Sequence, residues 1–273
     1  MRTAGRPWQA GRMCGRFAST TKPEDLVEIF GVEQWDPTET LAPSWNVAPT
    51  DSAFAVLDRT PKGQAEPVRQ LRVLRWGLVP SWSKSADGAV KMINARADTV
   101  HEKPSYRQAF AGRRCLLPVD GYYEWRTIPT EKGKPRKQPF FVSRVDGGVL
   151  ALAGLYEFWR DRAVPSEDPL AWLVTCTIVT TDAEPDLAPI HERMPLFLDP
   201  GGYDAWLDPG RTDPDELRSL LVPPAPGALQ AVPVSPAVGS IRNNSADLVR
   251  PIALTEDALA GGGFGEAVGA TLF

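Results

Sequence analysis

Apolar residues fall into short runs broken by proline and glycine, and few of the runs carry a helical repeat. A helix is predicted over 22–30. Leu26, Val27, Ile29 and Phe30 form its apolar face, Thr21 and Glu24 have capping-box spacing, Pro23 sits in the first turn, and Gly31 can end it. Most of the remaining chain reads as strand: 53–57, 68–76, 89–93, 114–117, 121–125, 139–143, 149–159, 172–180, 194–198 and 229–234. Short helices are predicted at 105–111, 202–207 and 214–221, the last capped by Asp213 with Pro214 in its first turn. Many strands, few helices and no regular strand–helix alternation predict an α+β fold: a β-rich single domain built on a curved, antiparallel, barrel-like sheet with short flanking helices.

Composition narrows the function classes. A chain of 273 residues, 42% apolar and 23% charged, can bury a sizeable core without disulfides or metals. No apolar run approaches the roughly 18 residues of a membrane helix. Residues 1–12 hold three arginines and no acid but no apolar stretch, so they do not read as a secretory signal. They are expected to be an extension outside the fold, with the domain over 13–255 and a loose tail over 256–273. The three cysteines, Cys14, Cys115 and Cys176, form no CxxC pair. A disulfide framework and a zinc site are therefore not expected, and a cytoplasmic location is. No nucleotide loop or metal motif appears, so no cofactor or metal is expected.

The net charge of −4 disfavours a generic nucleic-acid binder. Resolved along the chain, it changes sign. Residues 69–114 carry ten basic side chains against three acidic ones, while 182–273 carry five basic against fourteen acidic. A local excess of positive charge can attract phosphate on an acidic protein, because salt screens charges beyond about 8–10 Å. Trp76 and Trp82 lie in the basic segment. Cations beside aromatic faces suit single-stranded nucleic acid, whose phosphates need charge and whose bases need stacking surfaces. A plain solvated charged face is the competing reading.

Four residues carry candidate chemistry. Cys14 follows Met13 directly. If translation starts at Met13 and that residue is removed, Cys14 presents an α-amine and a thiol together. A 1,2-aminothiol condenses with an aldehyde to an imine and closes to a thiazolidine; an internal cysteine, whose nitrogen is an amide, cannot. His191, between Pro189 and Pro195, has the range for acid–base work near neutrality, with Arg193 beside it as an anion contact. His101, beside Glu102 in a polar segment, reads as structural. Glu124, in the aromatic run Gly121-Tyr-Tyr-Glu-Trp125, is either a paired core acid or a general acid–base group with a raised pKa. Asn94 can orient a polar intermediate, and Arg96 can clamp a phosphate.

Together these segments resemble the SRAP family (SOS-response-associated peptidase-like, abasic-site-processing proteins). The resemblance rests on Met13-Cys-Gly-Arg-Phe17, Trp45-Asn-Val-Ala-Pro-Thr50, Arg75-Trp-Gly-Leu-Val-Pro80, Ile93-Asn-Ala-Arg96, Gly121-Tyr-Tyr-Glu-Trp125, Thr180, His191-Glu-Arg-Met-Pro195, and Val234-Ser-Pro-Ala-Val-Gly239 with Arg242-Asn243. It implies an enzyme that binds abasic sites in single-stranded DNA and crosslinks to them covalently, as a monomer, through a thiazolidine on an N-terminal cysteine. The implied roles are Cys14 as nucleophile, Asn94 positioning the linkage, Glu124 handling protons, and His191 assisting sugar-ring opening and reversal. Arg96 and Arg193 would hold phosphates, and Asn46, Pro49, Trp76, Trp82, Trp125 and Thr180 would line the DNA path. Strand-cleaving lyase activity and (auto)peptidase activity are further expectations. The alternatives are a cysteine peptidase using Cys14, and a non-covalent single-strand-binding module. The family places its cysteine at position 2, whereas here thirteen residues precede it, so Met13 is expected to be the true start or the leader to be removed.

Overall fold

The computed structural model describes residues 14–129 and 135–254. The expected extension and all of the expected tail therefore lie outside the described residues. The strands are β1 (Phe17–Ser19), β2 (Gln34–Trp35), β3 (Ser44–Val47), β4 (Ser52–Arg59), β5 (Val68–Trp76), β6 (Asn94–Arg96), β7 (Arg114–Val119), β8 (Gly121–Ile128), β9 (Arg136–Arg144), β10 (Leu150–Arg160), β11 (Trp172–Asp182), β12 (Arg193–Pro195), β13 (Phe197–Leu198) and β14 (Leu229–Pro233). The helices are α1 (Pro23–Phe30), α2 (Arg107–Gly112), α3 (Tyr203–Leu207) and α4 (Pro214–Ser219).

Five strands close into a barrel. Antiparallel pairing links β5 to β4, β4 to β7, β7 to β10 and β10 to β11; a parallel pairing of Thr175 with Arg75 and Cys176 with Trp76 joins β11 back to β5. Closure removes the exposed edges of these strands. Period-2 alternation then sorts their side chains. Ala53, Ala55, Leu57, Leu74, Trp76, Cys115, Leu117, Tyr156, Cys176 and Ile178 belong to one core. The intervening Phe54, Val56, Leu71, Leu116, Ala151, Ala153 and Val179 pack in a second core with Leu26, Phe30, Phe110, Trp206 and Leu217 of the four helices. The first set fills the barrel, and the second glues the helices to its outer wall. Gly154 is required by the filling. A Cβ there would lie 2.3 Å from Leu117 Cδ1 and 3.0 Å from both Cys115 Sγ and the Thr177 carbonyl.

A second sheet, ordered β14-β9-β8-β1-β3, covers one end. Its Phe17, Val47, Tyr122, Phe140 and Val142 join the barrel core, and its Ala18, Tyr123 and Phe141 pack outward with Val234, Val238 and Leu248. At the same end β10 and β11 stop pairing after Gly154 and Ile178 and splay apart. β13 pairs with the freed part of β10, and β12 and β6 pair with the freed part of β11. This splay seats residues 191–198 and 94–96 beside the covering sheet.

The expected architecture is the observed one, with local corrections. The predicted 89–93 strand is a 3-10 turn over Ala89–Lys91, and the strand begins at Asn94. A short apolar run has no period that separates the two. The predicted 194–198 strand divides into β12 and β13, which serve different partners. Thr21 does not cap α1. Its hydroxyl donates to Asp120, Lys22 holds the N-cap without a side-chain bond, and Gly31 closes the helix at φ 62° as expected.

Candidate functional site

Cys14 lies three residues before the start of β1, whose antiparallel register sets Phe17 opposite Tyr122 of β8. Extending the register sets Gly15 opposite Glu124 and Cys14 opposite Trp125, so the Cys14 nitrogen meets the Glu124 side chain on the diagonal. The Cys14 backbone nitrogen donates to Glu124 Oε1 at 2.5 Å, across 110 positions of sequence. Both residues are buried, with exposures of 0% and 4%. Burial pushes the Glu124 carboxyl up to about 7, against hydrogen bonds from the Cys14 and Trp125 N–H groups and the charge of Lys137, which pull it down. Glu124 is therefore shared between its acid and base forms near neutrality. Burial, reinforced by the Glu124 charge, holds the Cys14 thiol well above its ordinary value, so the sulfur rests as a thiol.

β6 brings in Asn94 by parallel pairing with β11, and its Nδ2 donates to the Cys14 carbonyl at 3.3 Å. His191 and Arg193 come from the turn into β12. They line one small cleft with Glu124, Tyr122, Val142, Leu187 and Ile190. His191 Nδ1 lies 3.1 Å from the Arg193 N–H and 3.2 Å from the Arg193 carbonyl, so this nitrogen faces the Arg193 main chain and Nε2 is left to the cleft. Cys14, Glu124, Asn94 and His191 thus converge from four separated segments.

The expected DNA-contacting residues divide. Trp82 is 61% exposed, and Arg96 is exposed with its guanidinium on Asp98 at 3.0 and 2.5 Å. Pro49 and Trp125 are half-buried. Three expectations need correction. Trp76 is fully buried in the barrel, where it packs on Phe17 and donates from Nε1 to the Ile93 carbonyl, so it offers no face to a base. Thr180 is fully buried, with its oxygens taken by Arg193 Nη2 at 2.7 and 3.1 Å. Asn46 is buried and pins the 238–243 loop through the carbonyls of Val238, Ser240 and Asn243. Arg193 itself is largely buried, which lowers its pKa; the nearby charge of Arg96 lowers it further. The charges of Asp98, Asp182 and Glu192 act the other way on Arg193, and Asp98 pairs with Arg96.

The basic segment is also less free than its sequence implied. Arg69 pairs with Asp58 and Asp204, Arg72 with Glu39, and Arg113 with Glu157, all acids from outside the segment. Arg114 is buried, donating to the carbonyls of Phe110, Trp206, Asp208 and Arg211. Lys84, Lys91, Arg96, Lys103 and Arg107 remain exposed. Sequence reasoning passed over Arg16, two residues from Cys14, whose Nη1 donates to Asn46 Oδ1 and to the Val238 carbonyl, both at 2.9 Å. Its signal was its place in the Met13–Phe17 motif.

Among the described residues no helix is long and apolar enough to cross a membrane. The family model described as SOS response associated peptidase (SRAP) matches residues 13–241. The chain is 38% identical over 237 residues to Abasic site processing protein YoqW of Bacillus subtilis (strain 168), an alignment covering 87% of this chain and 99% of that protein. It is 30% identical over 281 residues to Abasic site processing protein HMCES of Mus musculus, covering 88% and 76%. A crystal structure of a protein from Bacteroides thetaiotaomicron superposes with a TM-score of 0.71 at 26% identity, covering 88% of this chain and all of that one. On the strength of these matches, and of a barrel that assembles the family's motifs at one end, the chain belongs to the SRAP family.

Proposed function

We propose that this protein binds abasic sites in single-stranded DNA and captures them as a covalent thiazolidine on Cys14. The observation that carries the reading is the 2.5 Å approach of the Cys14 nitrogen to the Glu124 carboxylate. The proposal requires loss of the residues up to Met13, which turns that nitrogen from an amide into an α-amine. The family model's match starting at residue 13 supports it.

The groups present dictate the chemistry. The amine lone pair attacks C1′ of the ring-opened sugar, forming a C–N bond while the aldehyde oxygen takes a proton. Glu124 in its acid form protonates that hydroxyl, and water leaves to give the imine. The Cys14 thiol then adds to the C=N carbon; sulfur forms the second bond, and its proton passes to the imine nitrogen. No oxidant or cofactor enters the balance. A carboxyl with pKa about 7 can give a proton in the dehydration and take one back afterwards. Asn94 holds the Cys14 main chain in place. His191, across the cleft from Glu124, assists ring opening and reversal through Nε2. Arg96 and Arg193 hold flanking phosphates, and Trp82, Pro49 and Trp125 lie along the strand's path.

Incubation of the mature protein with an oligonucleotide carrying one abasic site tests the reading. The expected product is a heat-stable adduct that disappears in Cys14→Ser. Salt-dependent binding with no adduct would replace it with the non-covalent module, and peptide cleavage without DNA with the peptidase. Intact mass from the native gene tests the processing: a mature chain retaining Arg12 and Met13 on Cys14 would refute the thiazolidine.

A further inference from the structure

The end of the barrel remote from Cys14 holds a second cleft, lined by Leu57, Arg59, Arg72, Leu74, Tyr156, Phe158 and Val174. The strand directions place it there. β4 runs from Ser52, near the Cys14 end, to Arg59 at the opposite mouth; Arg72, paired with Ala55 midway along the strands, lines the same cleft. At about 3.3 Å per residue the two mouths are about 20 Å apart.

The polar groups at this mouth are all donors. The Arg59 guanidinium lies 4.8 Å from the centre of the Phe158 ring. Stacking occupies its face and leaves its N–H edge free. Arg59 has no carboxylate partner among the described residues, and it is exposed. The Tyr156 hydroxyl makes no hydrogen bond among the described residues; burial pushes the phenol up to about 12, so it remains a donor. Arg72 gives Nε and Nη2 to Glu39 at 2.9 and 3.0 Å, which leaves Nη1. Two residues beyond Phe158 on the same strand, Arg160 has a buried Nε with no acceptor among the described residues. Of the acids nearby, Glu39 is engaged by Arg72 and Glu157 by Arg113, while the exposed Glu167 lies within reach of the Arg160 charge and away from Arg59 and Tyr156 in the cleft lining. Donors without acceptors call for an oxyanion, and the half-buried Val174 and Phe158 offer the apolar rim for whatever is attached to it, Leu57 and Leu74 being buried beneath.

We propose that this distal mouth is a phosphate-ester site: the phosphate takes the Arg59 edge and the Tyr156 hydroxyl, and the attached organic group lies along the rim beside Val174 and the Arg59–Phe158 stack. The same chemistry is offered by a free nucleotide and by the backbone of a DNA strand that has passed the Cys14 end. The test tracks arginine Nε–Hε signals by NMR, with affinities by calorimetry, in the full chain. The probes are thymidine 5′-monophosphate, inorganic phosphate, and a single-stranded oligonucleotide without an abasic site. A shift of the Arg59 signal by the mononucleotide assigns a free-nucleotide site, and a shift by the oligonucleotide alone assigns the DNA backbone. In either case Arg59→Gln should weaken binding by about tenfold or more and Tyr156→Phe severalfold, since hydrogen bonds to charged groups are the strong ones. Abasic-site capture by Arg59→Gln with a short oligonucleotide should match the wild type, which separates this site from Cys14. No Arg59 shift with any probe, a shift by inorganic phosphate alone, or unchanged affinity in both variants would overturn the proposal.

Discussion

Replacing Glu124 by Gln isolates the most consequential electrostatic feature of the site. The carboxyl rises from 4.5 to about 7, with burial as the leading cause. At about 1.4 kcal/mol per pKa unit, the folded state prefers the protonated form by about 3 kcal/mol. A raised folded value means that this contribution is fully present below 4.5, the unfolded value, and is lost as pH rises through about 7. Glutamine, which keeps the size and carries no titration, lacks this dependence. In the chain retaining Met13, where the Cys14 nitrogen is an amide, urea unfolding of both proteins at several values from about pH 5 to about pH 8 should show the variant gaining on the wild type by about 2–3 kcal/mol. A difference that stays flat across that range would refute the assignment of a buried, weakly solvated carboxyl. In the mature chain the same substitution should slow adduct formation by about 100-fold or more, the usual share of a positioned acid–base group. An adduct rate indifferent to the substitution would remove Glu124 from the chemistry while leaving the stability result intact.

The two expected DNA-facing tryptophans should separate cleanly. Trp76→Ala removes a side chain that fills the barrel and should cost about 3–5 kcal/mol in denaturant unfolding. Trp82→Ala should leave stability within about 0.5 kcal/mol and weaken single-strand binding by about 1–3 kcal/mol in a titration. Asn46→Ala breaks three donations to the 238–243 loop and the contact with Arg16, and should lower stability by about 2–4 kcal/mol, measured by chemical unfolding. Gly154→Ala forces a methyl against Leu117, Cys115 and a carbonyl, and should cost about 1–3 kcal/mol or more, read as a drop in thermal midpoint.

Most strands were legible because alternation survives in a sheet with two different faces: 68–76 is β5 to the residue, and α1 ends at Gly31 as its left-handed conformation demands. The segments without a period were not. β1, β3 and β6 are short, and their identity comes from partners far along the chain. The chemistry proposed for Cys14 could be read from the sequence because an aminothiol depends on covalent neighbours alone. The elevation of Glu124 was one of two alternatives, and only burial between β1 and β9 decided it.

Residue order alone thus supplied the residue types available, the β-rich class and the motifs that join this chain to the SRAP family. Folding decided which of those residues lie together. The covering sheet lays Cys14 on Glu124, and the splay of β10 from β11 admits His191 and Asn94 to the same end. Folding also withdrew residues that composition had offered. Trp76 went into the barrel, and Arg69, Arg72 and Arg113 went to acids supplied by other segments. The reason is range. Propensity and covalent chemistry act between neighbours in sequence, whereas burial and charge pairing act between neighbours in space.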